Sequence, residues 1–244
     1  MSKLFKEIDK LQDEIKKLRP LQKNELQQIK EYYRIGLTYS SNAIEGNSLT
    51  ESETKIVLEE GITIGGKPLK DHFEVVGHSK AYDLITSLSK SKKITESNIQ
   101  ELHKLFYQKI DLDNAGIYRK EKVFISGSHY KLPVPEKIND LMIELIKKFD
   151  KIRNTCHSIE FAAKLHKDFV FIHPFIDGNG RVARLLMNLA LLQDGYNIVI
   201  IPPILRRDYI SCLEKAHKDD AEFIDFIAGC VKEAQKDYLR LLQD

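Results

Sequence analysis

A short stretch of the sequence, residues 173–184, brings together side chains that are suited to phosphate chemistry. It begins with His173, whose ordinary pKa near neutrality suits a general base. Asp177 follows, a carboxylate that would bind a hard divalent cation such as Mg²⁺ beside phosphates. The stretch ends with Arg181 and Arg184, which share one helix face and would grip phosphate oxygens through forked hydrogen bonds. A base, a carboxylate and two guanidinium groups indicate transfer of a phosphorus-containing group onto a hydroxyl.

The segment between these side chains, Gly178–Gly180, predicts an anion-binding nest. The glycines on both sides of Asn179 let the backbone approach a ligand without a side chain in the way. A helix predicted over residues 180–193 would direct its free N–H groups and the positive end of its dipole at a phosphate. Because a residue before proline avoids the α region, Pro174 ends the preceding helix and holds His173 at its terminus.

Each of these features alone has an ordinary explanation. A single Asp-Gly or Gly-Asn-Gly is usually a turn, and a histidine before proline usually just ends a helix. Arginines three residues apart usually lie on a solvated face. Their combination within residues 173–184 is what favours a phosphate site.

Elsewhere the sequence predicts mainly helices, because apolar residues recur at helical spacing between short breaks. The predicted helices cover residues 23–37, 41–44, 50–60, 71–90, 95–109, 136–150, 158–172, 180–193, 206–217 and 220–242. A further N-terminal helix is predicted from an apolar seam made of Leu4, Ile8, Leu11, Ile15 and Leu18. So short a seam favours packing against the protein's own domain, and it leaves a homodimer open.

Residues 116–135 break the helical pattern. Three β-forming side chains, Val123, Phe124 and Ile125, precede a Gly-Ser turn, and prolines close the segment. We therefore expect a β-hairpin there, whose three side chains contact either the core or a partner.

The composition excludes several classes of protein. The 244 residues carry 38 basic and 36 acidic side chains, which gives no general electrostatic reason to expect a nucleic-acid partner. Three scattered cysteines indicate neither a disulfide framework nor a zinc site. The longest apolar run, residues 198–205, is too short to span a bilayer, and the N-terminus has no apolar signal region. We expect a cytoplasmic protein that does not bind a membrane.

The run from His173 to Arg184, HPFIDGNGRVAR in one-letter code, resembles the signature of the Fic family of AMP-transferases, and every defining position is filled. The segment that starts at Gly116 with Gly-Ile-Tyr-Arg, together with the hairpin after it, is similar to that family's target-binding flap. The resemblance implies an all-α fold: a Fic-type helical bundle with a short β-hairpin flap. Within it we expect N-terminal helices over residues 1–60 and a catalytic domain over residues 61–244.

The resemblance also implies an activity, protein adenylyltransferase, which moves AMP from ATP to a Ser, Thr or Tyr hydroxyl of a target protein or of the enzyme itself. His173 would deprotonate the hydroxyl, and Asp177 would hold Mg²⁺. Residues 195–209 resemble the nucleotide side of the family's site. The implied nucleotide-binding residues are Gly178, Asn179, Gly180, Arg181, Arg184 and Tyr209. The flap would position the target by strand addition through Val123, Phe124 and Ile125.

A second resemblance lies upstream, in the segment 41–47. Ser41, followed four residues later by Glu45 and then Gly46, resembles the inhibitory helix of Fic proteins. The resemblance implies that Glu45 pairs with Arg184 and keeps the γ-phosphate of ATP from docking productively. In some relatives the same glutamate supports removal of AMP, so the direction of the reaction stays open.

Two further questions stay open. His217 stands where some self-inhibited relatives carry a nucleotide-contacting Asn, which leaves the nucleobase selectivity undecided. The chain could also transfer phosphate or another nucleotide on the same scaffold. As a different class, it could be a non-catalytic interaction module that senses nucleotide.

Overall fold

Helices form most of this protein because its apolar residues recur at helical spacing and its glycines and prolines fall mainly between the elements. The computed structural model describes residues 3–18, 20–125, 127–128 and 130–242. Within these residues there are ten α-helices: α1 Lys3–Lys17, α2 Lys23–Ile44, α3 Glu51–Glu60, α4 Leu69–Leu88, α5 Glu96–Tyr107, α6 Ile138–Ile152, α7 Ser158–Ile172, α8 Asn179–Gln193, α9 Arg206–Lys215 and α10 Ala221–Leu241. Two 3₁₀ turns, Pro135–Lys137 and Pro203–Leu205, precede α6 and α9. The predicted all-α fold is confirmed.

The centre of the bundle is α8. Thirteen of its fifteen residues are buried, as expected for a helix that is enclosed on all sides. Helix α7 packs along it, and α4, α5 and α2 also contact it. The motif at the start of α8 therefore lies at the mouth of the most buried element.

Helix α1 lies along α10, so the N-terminal apolar seam packs against the protein's own domain. Ile8 and Ile15 of the seam are fully buried, whereas Leu18 is exposed. A polar residue outside the predicted seam, Gln12, is also buried, and its amide donates to the carbonyl of Gly195 at 2.8 Å.

The sequence predicted two separate helices over residues 23–37 and 41–44, but the structure has a single helix, α2. It runs without a break from Lys23 to Ile44, so the segment that resembles an inhibitory helix is the last turn of a long helix. No proline interrupts this span, and the Asn42 amide donates to the carbonyl of Thr38 one turn earlier. The chain leaves the helix at Glu45 and turns at Gly46, where φ is 94°.

The flap, residues 116–135, contains no β-strand among its described residues, so the predicted hairpin is not formed. Its described residues form a loop that turns at Gly127, where φ is 81°. The Arg119 guanidinium bridges its two arms, donating to the carbonyls of Glu121 at 2.9 Å and Pro133 at 2.7 Å. An isolated pair of strands is marginal in water, and here a side chain connects the arms instead of a ladder.

None of the described helices is both long enough and apolar enough to cross a membrane.

Candidate active site

The end of α7 places His173 in an unusual backbone conformation. Its φ of 50° and ψ of 58° are left-handed, and it is the one non-glycine residue with positive φ in the described part of the chain. This conformation costs a non-glycine residue about 1–2 kcal/mol. Backbone contacts hold it: the His173 N–H donates to the carbonyl of Phe169 at 3.1 Å, and its carbonyl accepts from Nε of Arg119 at 2.8 Å. The flap arginine thereby connects the flap directly to the histidine.

The surroundings of His173 keep its imidazole neutral. Burial and then the positive charge of Arg119 lower its pKa to about 4, although the carbonyl of Val170 and the charges of Asp177 and Glu45 act in the opposite direction. At neutral pH the ring is therefore able to accept a proton, which a general base must do.

The turn after His173 is built by side chain-to-backbone hydrogen bonds. Oδ1 of Asn179 accepts from the N–H of Phe175 and its Nδ2 donates to the carbonyl of the same residue, each at 2.9 Å. Oδ1 of Asp177 accepts from the N–H of Gly178 at 2.6 Å. The Asn179 side chain, expected at the phosphates, is thus buried under the turn and shapes the nest from below.

A residue that the sequence analysis missed, His103 on α5, braces this turn from the other side. One ring nitrogen accepts from the N–H of Gly116 at 2.8 Å, and the other lies 3.1 Å from the carbonyl oxygen of Asp177. The ring stacks on Phe175, with centroids 3.9 Å apart. Burial lowers the pKa of His103 to about 4. No spacing in the sequence connects residue 103 with the motif, because the contact exists only after folding.

At two positions of the nest, Gly178 and Gly180, an added Cβ would collide with a neighbouring side chain. Gly178 has φ of 78°, and a Cβ there would lie 2.5 Å from the Phe106 ring. A Cβ at Gly180 would collide with Oε1 of Glu45. The Glu45 carboxylate therefore lies directly against the first turn of α8, where helix N–H groups lack intrahelical partners and favour an anion.

Arg184 and Glu45 form the ion pair that the resemblance implied. Nη2 of Arg184 lies 2.7 Å from Oε1 of Glu45, and Ser41 binds the same guanidinium through its hydroxyl at 3.0 Å and its carbonyl at 2.8 Å. Burial raises the pKa of Glu45, but the charges of Arg184 and Arg181 and the hydrogen bond from Arg184 outweigh it, so the net pKa lies below its ordinary value. The carboxylate is therefore ionised at neutral pH.

Arg181 has a different acidic partner, Glu74 on α4, which the sequence analysis also missed. The two side chains are 2 % and 7 % exposed, and Nη1 of Arg181 lies 2.7 Å from Oε1 of Glu74. Asn47 donates to the other oxygen of Glu74 at 2.9 Å, and Asp177 lies 3.6 Å from Nη2 of Arg181. A signal for Glu74 was present, since it lies on the buried stripe of α4 that includes Ala81.

Tyr209, which the resemblance implied as a nucleotide-binding residue, lies in the core. It is 1 % exposed, and its hydroxyl contacts Nε2 of His166 at 2.8 Å and Nη1 of Arg184 at 3.4 Å. Both partners are buried, so the tyrosine supports Arg184 from within the core. The sequence showed its position in the chain but not its direction.

His217 packs between two aromatic rings. The ring of Tyr130, from the flap, and the ring of Phe171, from α7, stack on it with centroids 3.6 Å and 3.5 Å away. Beside this stack the hydroxyl of Ser128 donates to the carboxylate of Glu214 on α9, at 2.9 Å and 3.1 Å from its two oxygens. These contacts hold the far end of the flap against α9.

Of the three flap side chains that were expected to contact a target, Phe124 is the most exposed, at 93 %. Ile125 is exposed to a smaller extent, and Val123 is half-buried. Phe124 therefore contributes nothing to the core.

The fold and the site define a class: an all-α protein in which a histidine at the end of one helix and two buried arginines at the start of the next flank a glycine turn. A model of the Fic/DOC family matches residues 93–191. The Protein adenylyltransferase Fic of Nematostella vectensis is 40% identical over 208 residues, which are 82% of this chain and 48% of that protein. The chain spans about half of the length of the curated relatives it matches.

Solved structures agree with this match. The structure described as Fic-1 from C. elegans superimposes with a TM-score of 0.90 at 28% identity, covering 99% of this chain and 72% of that chain. A Fic domain containing signaling protein from Bacteroides thetaiotaomicron gives 0.90 at 27% identity, covering 97% and 98%. The chain belongs to the Fic/DOC family.

Proposed function

We propose that this protein is a protein adenylyltransferase that moves AMP from ATP to a hydroxyl group of a target protein. The observation that carries the proposal is the Glu45 carboxylate, which lies against Gly180 and pairs with Arg184 at 2.7 Å. A carboxylate held at a helix N-terminus by an arginine marks the position that a phosphate group of a nucleotide would take. Relatives that carry the name Protein adenylyltransferase Fic support the identity of the transferred group.

The reaction follows from the groups around this position. The target oxygen forms a bond to the α-phosphorus of ATP while the bond from that phosphorus to the β-phosphate oxygen breaks, so that pyrophosphate leaves. His173 takes the proton of the hydroxyl, and its lowered pKa keeps it unprotonated for this role. Arg184, once it is released from Glu45, would neutralise charge on the phosphates, and Arg181 would add to this while it stays paired with Glu74. Such an electrostatic contribution usually dominates phosphoryl-type transfer.

Mg²⁺ belongs to the proposal through Asp177. Within the described residues no cluster of three or more His, Cys, Asp or Glu side chains could hold a metal by itself. A single carboxylate suffices for Mg²⁺ when phosphates supply further oxygens, and the Asp177 side chain is 48 % exposed beside the nest. When bound, the ion would neutralise phosphate charge and orient the phosphates.

Self-inhibition is the second part of the proposal. Because Glu45 occupies Arg184, the γ-phosphate of ATP must displace this carboxylate from a guanidinium whose orientation Ser41 holds. Arg184 is only 2 % exposed, so water hydrates it poorly and cannot replace the carboxylate as its partner. The Glu45 carboxylate therefore competes strongly with the γ-phosphate. Glu45 would thereby keep the basal rate of AMP addition low. The same residue would also be placed to support removal of AMP.

The flap would position the target. Exposed backbone and the side chain of Phe124 are suited to strand addition, in which main-chain hydrogen bonds impose little sequence preference. Ser, Thr and Tyr hydroxyls, including those of the enzyme itself, are the proposed acceptors.

The test is incubation of the protein with ATP labelled on its α-phosphate, in a cell lysate and alone, followed by mass spectrometry of the labelled proteins. We expect adducts of AMP mass from wild type and from Glu45→Gly, and none from His173→Ala. Adducts of phosphate mass would assign another transfer to the site. If His173→Ala matched wild type in every measurement, the protein would be a nucleotide-sensing module instead of an enzyme.

A further inference from the structure

A groove along the outer face of α2 is separate from the candidate active site. Its first part encloses about 650 Å³ between α2, α10 and the loop at residues 198–205. A second part of about 740 Å³ continues between α2 and α3. Tyr32 and Glu51 line both parts, so they form one continuous channel, which we call the α2 groove.

The α2 groove has a strongly acidic lining. Among the described residues, its first part is lined by no lysine, arginine or histidine and by five carboxylates: Glu51, Asp208, Asp225, Glu233 and Asp237. The second part adds two more glutamates and a single cation, Lys55. The sequence as a whole carries a net charge of +2, so this local excess of negative charge is not a property of the average surface.

Three of these carboxylates are available to a ligand. Glu233 and Asp237 each pair with a basic residue of their own helix. Glu51, Asp208 and Asp225 are exposed and have no ion pair or side-chain hydrogen bond from the part of the chain that the structure describes. Unpaired carboxylates around one cavity attract cations, and a protein cation can satisfy several of them together.

The walls between these charges are aromatic and apolar. Tyr32, Tyr33 and Tyr39 lie along the α2 side, and Ile200 and Phe226 lie opposite. Tyrosine faces bind guanidinium and ammonium groups by cation–π attraction. Tyr33 is 5 % exposed and its hydroxyl has no hydrogen-bond partner among the described residues, so the groove wall contains an unused donor.

We propose that the α2 groove docks an extended, arginine- or lysine-rich segment of a protein partner. The unpaired carboxylates fit its basic side chains, and the tyrosines fit both their charge and their alkyl stems. Nucleic acid is excluded as occupant because its phosphates would face the same carboxylates.

Docking there would act on the helix that carries the candidate inhibitory turn. Tyr39 and Ser40 line the groove, and the next residue, Ser41, hydrogen-bonds to Arg184. The groove and the anion position thus lie on either side of one helical turn. The docking itself does not depend on AMP transfer, and a binding measurement tests it separately from the proposed function.

The experiment measures fluorescence anisotropy of a labelled arginine-rich peptide against the full chain. The groove variant combines Glu51→Gln, Asp208→Asn and Asp225→Asn. The control variant makes the same charge change at exposed carboxylates elsewhere, Asp113→Asn, Asp140→Asn and Glu144→Gln. We expect the groove variant to bind about tenfold more weakly than wild type and the control to differ by less than about twofold, with affinity falling as salt rises.

Equal weakening by both variants, or equal binding of a glutamate-rich peptide of the same length, would overturn the proposal. Absence of binding to the wild type would do the same. Sedimentation of the wild type as a dimer that the groove variant alone disrupts would assign the groove to a second copy of the chain and also overturn it. Circular dichroism checks that both variants keep their helix content, and self-modification with labelled ATP checks that neither change has reached the active site.

Discussion

Arg181 and Arg184 are three residues apart on one helix, both are 2 % exposed, and each is paired with a carboxylate at 2.7 Å. Their partners differ. Glu74 is 7 % exposed within helix α4, whereas the Glu45 side chain is 35 % exposed at the end of α2, next to Gly46. The first pair is part of the interior, and the second has solvent on one side. Two arginines of one sequence motif thus form ion pairs of different kinds: the pair of Arg181 is structural, and the pair of Arg184 is displaceable.

The largest effect that we expect is the loss of unfolding free energy when the Arg181–Glu74 pair is removed. Glu74→Ala leaves the Arg181 charge buried without its closest partner, and removing one member of a buried pair costs about 3–5 kcal/mol. Urea unfolding followed by circular dichroism measures the loss. Glu144→Ala, at an exposed position of α6, is the control and is expected to change the free energy of unfolding by less than about 0.5 kcal/mol. A loss at Glu74 as small as the control's would show that Arg181 does not need this partner.

Glu45→Gly should change the activity strongly and the stability only a little. Freeing Arg184 for the γ-phosphate is expected to raise the rate of AMP transfer by about tenfold or more, which corresponds to a coupling of ordinary size between two sites. Because solvent reaches the Glu45 side of this pair, the loss of stability should stay below that of Glu74→Ala. Initial rates with labelled ATP and urea unfolding are measured on the same preparations. Transfer at or below the wild-type rate would contradict self-inhibition.

Gly180→Ala tests where the Glu45 carboxylate lies, because the added Cβ would collide with it. Because the colliding atom is the end of a glutamate side chain that can shift, we expect it to destabilise the wild type by about 1 kcal/mol at most, the low end for overpacking. In the Glu45→Gly background the collision is absent, so the same change should cost clearly less. The double-mutant cycle gives the coupling between the two positions. Additive free energies would mean that the carboxylate does not lie against α8.

The smallest expected effect is that of mild acid on the Glu45→Gly variant. His173 acts as a base only when it is unprotonated, and burial lowers its pKa to about 4. Activity should therefore be nearly constant from pH 7 to about 5 and fall with an apparent pKa of about 4 as protons bind. A pH–rate profile measures this. An apparent pKa near 6.5 would indicate that the histidine is solvated, contrary to its packing in the structure.

The sequence predicted the fold class and most helices because both depend on the local period of apolar residues. The extended prediction for residues 116–135 failed as a hairpin because strand pairing needs a partner, and Arg119 spans the two arms instead. The break predicted within α2 is wrong because the mostly polar residues 38–42 give no periodic apolar signal, although four of the five are buried. Burial of polar side chains depends on partners that lie far away in the chain.

The glycine nest, the imidazole and the two guanidinium groups could be predicted to lie near the start of one helix from the sequence alone. These residues are neighbours in the chain, so local backbone geometry places them close together. The pairing of Glu45 with Arg184 was already implied by the resemblance, but the pairing of Glu74 with Arg181 became visible only in the folded chain. The tertiary structure also turned Tyr209 into the core and placed Asn179 beneath the nest. Contacts such as Glu74 with Arg181 join segments more than a hundred residues apart, and packing of whole helices selects them.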